Sequence, residues 1–287
     1  MPVLVECADI RENVTLAKRL GLDFVELNAS FPQYHCNDIL LAEAKALREE
    51  TGINYTLHLD EEGNPFDFHP TVAAAYRQVY ADGLRFAKAL GMKRVNMHLP
   101  KGVYVTLPAE RIYLCEVYYD TYRQAVLDFR AMCEEILAGS DTLVCVENTD
   151  GFFPYHLKAI DTLLESSRFA LTLDTGHNGE RDGRDWPLYE ARRDRLKHMH
   201  LHACVNHSPH KPLDEDEGTV NVPEKIRLAE ESGCTVCVEV KTVAGLESSV
   251  QYLKERGKLK RTIPSGYPCG AMPCPSPFII RSATPRT

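Results

Sequence analysis

The chain has 287 residues, 44% of them hydrophobic, with 33 Lys and Arg against 41 Asp and Glu for a net charge of −8. That is enough length and apolar content for a soluble globular protein with a substantial core, and it excludes fibrous and largely disordered classes. No apolar stretch reaches the roughly 20 residues that a membrane span needs, and Met1-Pro2-Val3-Leu4-Val5-Glu6 does not open a secretory signal, so a cytoplasmic protein is expected.

Short apolar runs alternate with helical patterns along the chain. The first run, Val3–Glu6, precedes a helix over 11–20; Phe24–Asn28 precedes 38–51; Tyr55–Leu59 precedes 71–90; Arg94–Leu99 precedes 109–138. Leu143–Asn148 then leads to a helix over 155–166, Phe169–Asp174 to 187–194, Leu196–His202 to 222–232, and Thr235–Val240 to 245–256. Gly21, Gly52, Gly91, Gly139 and Gly233 each close a helix just before a strand.

Eight strand and helix units in about 255 residues match the α/β class, as a closed (β/α)8 TIM barrel over residues 1–256, better than an open doubly wound sheet. Residues 257–287 hold six prolines and show no periodicity, so an unstructured, Pro-rich tail is expected there. Its Cys269 and Cys274 lack nearby partners for a metal pair. The ten cysteines are irregularly spaced, often inside apolar runs, and read as reduced core residues; Cys234 and Cys237, with the spacing of a redox pair, point to opposite faces of a strand.

Five basic and no acidic side chains fall in 257–287, which leaves 28 basic against 41 acidic groups in residues 1–256. A body that acidic repels a polyanion, so extended contact with nucleic acid is disfavoured.

Side-chain parity then locates the chemistry, because alternate residues of a barrel strand enter the barrel or meet the helices. Tyr55, Leu57 and Leu59 oppose Thr56 and His58; Val95, Met97 and Leu99 oppose Asn96 and His98. Val144 and Val146 oppose Cys145 and Glu147; Leu171 and Leu173 oppose Thr172 and Asp174; Met199 and Leu201 oppose His198, His200 and His202; Val238 and Val240 oppose Glu239. One face is apolar in all six, while the other ends in histidine or carboxylate at the rim where barrel enzymes build their sites. Such groups crowd unfavourably without a partner, and a divalent cation relieves them by binding carboxylate oxygen and neutral imidazole.

The loops add His177, which Gly176 is expected to turn back over the cavity, and His210, in a long acidic loop, as further ligand candidates. His198 lies deeper and reads as a hydrogen-bonding residue, and His202 as a substrate contact. His35, His69 and His156 read as surface or capping residues. Lys101, Arg181, Arg184 and Lys211 are candidate rim cations.

Glu147-Asn148-Thr149, Asp174-Thr175-Gly176-His177, His200-Leu201-His202 and the terminal Glu239 resemble the xylose isomerase-like barrel superfamily over about residues 1–256. That group includes sugar isomerases, ketose 3-epimerases and apurinic endonucleases of the endonuclease IV type. In the epimerase branch the resemblance implies one metal on Glu147, Asp174, His200 and Glu239. There the two glutamates also move the substrate's proton, the metal steadies an enediolate, and His177 contacts the substrate.

In the endonuclease branch it implies a cluster of up to three zinc ions, with His58, His98, His177 and His210 as additional ligands. The sequence departs from the expected Asp at Ser208 in that cluster, and at Ala203 after the H-x-H segment in both branches. The acidic loops Asp60-Glu61-Glu62 and Asp214-Glu215-Asp216-Glu217 favour sugar chemistry.

The reading is therefore a metal-dependent sugar or sugar-phosphate isomerase or epimerase acting through Glu147 and Glu239, with Mn²⁺, Co²⁺, Mg²⁺ or Zn²⁺ as cofactor. The alternatives are an endonuclease IV-like zinc phosphoesterase and a degenerate metal-binding barrel. The partner expected is a small sugar rather than a membrane or nucleic acid, and a homo-oligomer is compatible with the sequence.

Overall fold

The structure, a computed structural model, describes residues 1–259. The tail expected to be unstructured lies, from residue 260 onward, outside the described residues. In chain order the elements begin α1 (Ile10–Leu20), β1 (Phe24–Asn28), α2 (Asp38–Thr51), β2 (Asn54–His58), α3 (Pro70–Ala89) and β3 (Arg94–His98). There follow β4 (Tyr104–Thr106), β5 (Arg111–Tyr113), α4 (Leu114–Val117), α5 (Tyr119–Ile136), β6 (Leu143–Glu147), α6 (Pro154–Leu164), β7 (Phe169–Asp174), α7 (Thr175–Glu180) and α8 (Trp186–Ala191). The last are β8 (Leu196–Leu201), β9 (Ala203–Val205), β10 (Ser208–Lys211), α9 (Val222–Ser232), β11 (Thr235–Val238) and α10 (Val243–Glu255).

Helix α1 shows how local sequence sets these boundaries. The Asp9 carboxylate caps the amide of Glu12 at 2.8 Å, Ile10, Val14, Ala17 and Leu20 form one buried stripe, and Gly21 ends the helix at φ 78°, where a β-carbon is strained.

Seven parallel strands run in the order β1-β2-β3-β6-β7-β8-β11 and form a nearly closed barrel ringed by helices. The expected first strand, Val3–Glu6, is reduced to a bridge between Pro2 and Glu26, with Val3 N donating to Glu26 O at 2.9 Å and Glu26 N to Met1 O at 2.8 Å. The chain must turn at Val5–Cys7 to reach the Asp9 cap, so only its first residues can extend.

Of the expected helix over 109–138, α4 and α5 are helical, but its start is β5, which pairs with β4 as a hairpin. Tyr104-Val105-Thr106 and Arg111-Ile112-Tyr113 are rich in β-branched and aromatic side chains, and Leu107–Glu110 closes between them by a hydrogen bond from Leu107 N to Glu110 O at 2.8 Å. A second hairpin, β9–β10, occupies the loop that carries His210.

Parity holds strand by strand. Val25, Leu27, Tyr55, Leu57, Val95, Met97, Val144, Val146, Leu171, Leu173, Met199 and Leu201 are all buried in the core cluster between strands and helices. Removing such side chains from water stabilises the fold by about 1.5–3 kcal/mol each. The inward residues are polar and also buried, which requires partners: Thr172 Oγ1 donates to Asn96 Oδ1 at 2.6 Å, and Thr56 Oγ1 to Glu26 Oε2 at 2.8 Å. The eight described cysteines are all free, and only Cys36 is not buried. Among the described residues no helix is long and apolar enough to cross a membrane.

Candidate active site and metal centre

The C-terminal ends of the strands bring the six expected tips together. Ligand atoms of Glu147, Asp174, His200 and Glu239 all lie within 4.8 Å of one another, and those of His58, His98 and Glu147 form a second such group that shares Glu147. His200 Nδ1 is the focus. It lies 2.9 Å from Glu147 Oε1, 2.7 Å from Glu239 Oε2 and 3.8 Å from Asp174 Oδ2, with the histidine fully buried.

One ring N–H can donate to one of these oxygens, not three. Glu239 Oε2 is buried and makes no hydrogen bond despite its short approach to the ring. An orphaned carboxylate oxygen, two further carboxylates and an imidazole nitrogen converging on one point form a donor set that suits a divalent cation.

The electrostatics agree. Burial raises the pKa of Glu147 and Glu239, but His200 outweighs it and holds both well below the usual carboxylate range. Burial lowers His200, and Glu147, Glu239 and Glu26 more than reverse this, so the ring retains a proton well above its ordinary range. Without a cation, the cluster draws positive charge onto its histidine.

The shell around this focus is built from hydrogen bonds. Asn96 Nδ2 donates to Glu147 Oε2, and Asn148 clasps the backbone of Asp174 on both sides, at 3.0 Å to its carbonyl and 2.9 Å from its amide. Tyr189 Oη lies 2.7 Å from Asn148 Oδ1 and fixes that clasp in turn. Such supports orient ligands and are costly to remove.

His58 directs Nδ1 at Leu59 O at 2.8 Å, leaving Nε2 3.3 Å from Glu147 Oε2; His98 Nε2 approaches the same oxygen at 3.4 Å. Burial pushes His58 down, but bonding to Glu147 outweighs it and raises the ring to about 9.

His177, His202 and His210 form a neighbouring cluster on the other side of Asp174. Asp174 caps α7, accepting from His177 N at 2.7 Å. The His177 ring is partly exposed, at 5.1 Å between centroids from His210 and 5.9 Å from His202.

His202 is fully buried, with Nε2 2.9 Å from Asp174 Oδ2 and Nδ1 accepting the amide of His210 at 2.7 Å. Both ring nitrogens are thus engaged by protein atoms, Nε2 by the carboxylate of Asp174. His210 stacks on His202 at 4.3 Å and places Nδ1 3.3 Å from the carbonyl of Glu239. Gly176 does not make the expected tight turn: it lies inside α7, where its missing side chain leaves room for the His202 ring.

His198 lies beside this focus, its ring centroid 5.1 Å from that of His200. His198 bonds Thr235 Oγ1 at 2.6 Å and Glu26 Oε2 at 2.9 Å. His35 and His69 are exposed, whereas His156 caps α6 from a buried position, not at the surface.

Sequence reasoning missed Glu26 and Lys241. Glu26 is buried beneath His200, with Oε1 2.9 Å from His200 Nε2; its alternation with Val25 and Leu27 is the signal that would have found it. Lys241 Nζ lies 2.5 Å from Glu239 Oε1 and carries no periodic signal, because it follows the end of β11.

The sequence matches the xylose isomerase-like TIM barrel family over residues 14–256. The chain belongs to that family. Among solved structures, this xylose isomerase-like barrel is similar to a D-tagatose 3-epimerase-like protein at 17% identity, covering 88% of this chain and 95% of that one with a TM-score of 0.70. It also resembles D-psicose 3-epimerase from Clostridium cellulolyticum H10, solved with D-tagatose, at 16% identity, 87% and 92% coverage and a TM-score of 0.64. A third similar structure is the IOLI protein with a bound zinc atom, at 14% identity, 88% and 93% coverage and a TM-score of 0.63. At these identities the likeness is one of fold. No curated protein sequence gives a significant match.

Proposed function

We propose that the protein is a metal-dependent sugar isomerase or epimerase. The observation that carries the reading is the convergence of Glu147, Asp174, His200 and Glu239 on one point, with Glu239 Oε2 left without a hydrogen bond. These four residues would hold one divalent cation, Mn²⁺, Co²⁺, Mg²⁺ or Zn²⁺, which when bound supplies Lewis acidity that polarises a substrate carbonyl and acidifies the neighbouring C–H.

Glu147 and Glu239 carry the proton. One carboxylate takes it from the substrate carbon, and the other returns a proton to the opposite face for epimerisation; return to the adjacent carbon gives the aldose. Lys241 Nζ lies 2.5 Å from Glu239 Oε1 and fixes the orientation of this carboxylate, with Oε2 turned toward the cation position. His177, at the partly exposed edge of the cluster, contacts a sugar hydroxyl, while His202 and Asn148 keep Asp174 in place. The epimerases among the structurally similar proteins support this choice of chemistry.

The test is solvent exchange. Metal-loaded protein in D₂O is expected to place deuterium at a carbon adjacent to the carbonyl of at least one ketose, and Glu147→Gln to abolish this while the fold persists. Absence of exchange across a ketose panel contradicts the proposal.

A second reading, a zinc phosphoesterase of the endonuclease IV kind, is favoured by His58 and His98 meeting on Glu147 Oε2, an arrangement suited to a second cation. Cleavage of abasic-site DNA, accompanied by two or three zinc ions per chain, supports that reading instead.

A further inference from the structure

A TIM barrel normally fills its interior with layers of bulky, branched side chains. Here the layer beneath the candidate metal centre is polar instead: Glu26, Thr56, Asn96, Thr172 and His198 are all buried on the inward side of their strands. Thr172, His198 and Thr235 share one register across β7, β8 and β11, and Glu26 pairs with Thr56 across β1 and β2. Buried polar groups are costly without partners, so what this layer bonds to decides what it is for.

Its bonds lead to the centre. Glu26 Oε2 lies 2.9 Å from His198 Nε2 and accepts from Thr56 Oγ1 at 2.8 Å, which fixes the turn of the carboxylate. The other oxygen, Oε1, lies 2.9 Å from His200 Nε2, although out of line for a hydrogen bond. A carboxylate only accepts, so at these distances each histidine presents a proton on Nε2 rather than a lone pair. The hold on His200 is thus one of charge and position, and it depends on where Glu26 is turned.

His198 is fixed from below in the same way. Its Nδ1 lies 2.6 Å from Thr235 Oγ1, whose other neighbour, Lys197 O, is 3.4 Å away. The hydroxyl has one hydrogen, and the nearer partner takes it. A second arm of the layer ends on another member of the centre: Thr172 Oγ1 donates to Asn96 Oδ1 at 2.6 Å, which turns Asn96 Nδ2 toward Glu147.

We infer that His198 and Thr235 are positioning residues for the metal centre: Thr235 fixes the His198 ring, His198 fixes Glu26, and Glu26 keeps the proton of His200 on Nε2, so that Nδ1 is offered to the cation. This rests on the metal-site reading under the proposed function and extends it one layer down the barrel.

The experiment compares two pairs of variants by competition with a chromophoric chelator, with Zn²⁺ as the probe. His198→Leu removes the donor to Glu26, whereas His198→Gln keeps an N–H; Thr235→Val removes the hydroxyl, whereas Thr235→Ser keeps it. Affinity is expected to fall roughly 10- to 100-fold in His198→Leu and about 10-fold in Thr235→Val, with the donor-keeping member of each pair within about twofold of wild type. Wild-type affinity in all four overturns the inference. So does an equal loss within each pair, which is what packing alone produces. Thr235→Val, which keeps shape and volume, carries the test if His198→Leu does not fold.

A readout independent of the metal separates failure of this inference from failure of the metal reading. In cation-free protein labelled with ¹⁵N-histidine, the Nε2–H resonance of His200 is expected to move in His198→Leu and Thr235→Val and to stay in place in their donor-keeping partners. A resonance unmoved in both overturns the inference, whether or not Zn²⁺ binds. If the wild type binds no Zn²⁺ while the resonance moves as expected, the metal reading falls and the positioning of His200 stands.

Discussion

Gly176 and His202 sit so close that a β-carbon on the glycine would lie 2.0 Å from Cε1 of the imidazole. The ring cannot yield without leaving Asp174 Oδ2, which its Nε2 holds at 2.9 Å. Gly176→Ala is therefore expected to destabilise the fold by about 1–3 kcal/mol, the usual cost of overpacking, and to weaken metal binding through Asp174. Denaturant unfolding and chelator competition measure the two effects. A variant with wild-type metal affinity would show that His202 does not brace Asp174.

Glu26 acts on the opposite side of the centre. Its two oxygens face His200 Nε2 and His198 Nε2, each at 2.9 Å, and so favour the orientation of His200 that turns Nδ1 toward the three carboxylates. Glu26→Gln keeps the shape and removes the charge. Metal affinity is expected to fall by roughly 10- to 100-fold, as for other residues that support metal ligands. Competition with a chromophoric chelator reads this directly, and an unchanged dissociation constant would remove Glu26 from the account.

Metal binding should release protons. In the cation-free protein the carboxylates keep His200 protonated well above its ordinary range, against the opposing effect of burial. A cation at Nδ1 displaces that proton, so apparent affinity should rise with pH through neutrality by about tenfold per unit for each proton displaced. Titration calorimetry in buffers of different ionisation enthalpy counts the protons released. Affinity independent of pH would contradict the assignment of His200 as a ligand.

His156 gives a pH effect separate from the centre. Burial lowers its pKa from 6.5 to about 4, partly opposed by the carbonyl of Pro100 3.1 Å from Nε2. The neutral ring is the folded form, so its contribution is complete above pH 6.5 and is lost as pH falls toward 4. That loss amounts to about 3 kcal/mol at most. His156→Asn should be less stable at neutral pH yet flatter across this window, as followed by the denaturant midpoint. A slope equal to that of the wild type would assign the acid sensitivity elsewhere.

The barrel was legible because its strands obey a strict two-residue alternation, and α2 and α9 because Gly52 and Gly233 end them where expected. Val3–Glu6 failed as a strand because its length is set by the turn into α1, a tertiary requirement that local hydrophobicity does not encode. Strand β5 took the start of an expected helix, and only the β-branched and aromatic side chains it pairs with in β4 betray the hairpin.

At the site, parity marked the inward direction of His202 correctly but not what lies above it, where α7 and β10 engage both nitrogens. The hydrogen bonds from the Val243 amide to Glu6 and from the Val222 amide to Asp216 run across loops, and no spacing in the sequence announces them.

The most direct measurement is anomalous scattering from crystals of the Mn²⁺- or Zn²⁺-loaded protein. The account requires a peak bounded by Glu147, Asp174, His200 and Glu239, with metal-to-ligand distances of about 2.0–2.2 Å. A peak confined to other residues, or none at full metal loading, would contradict it.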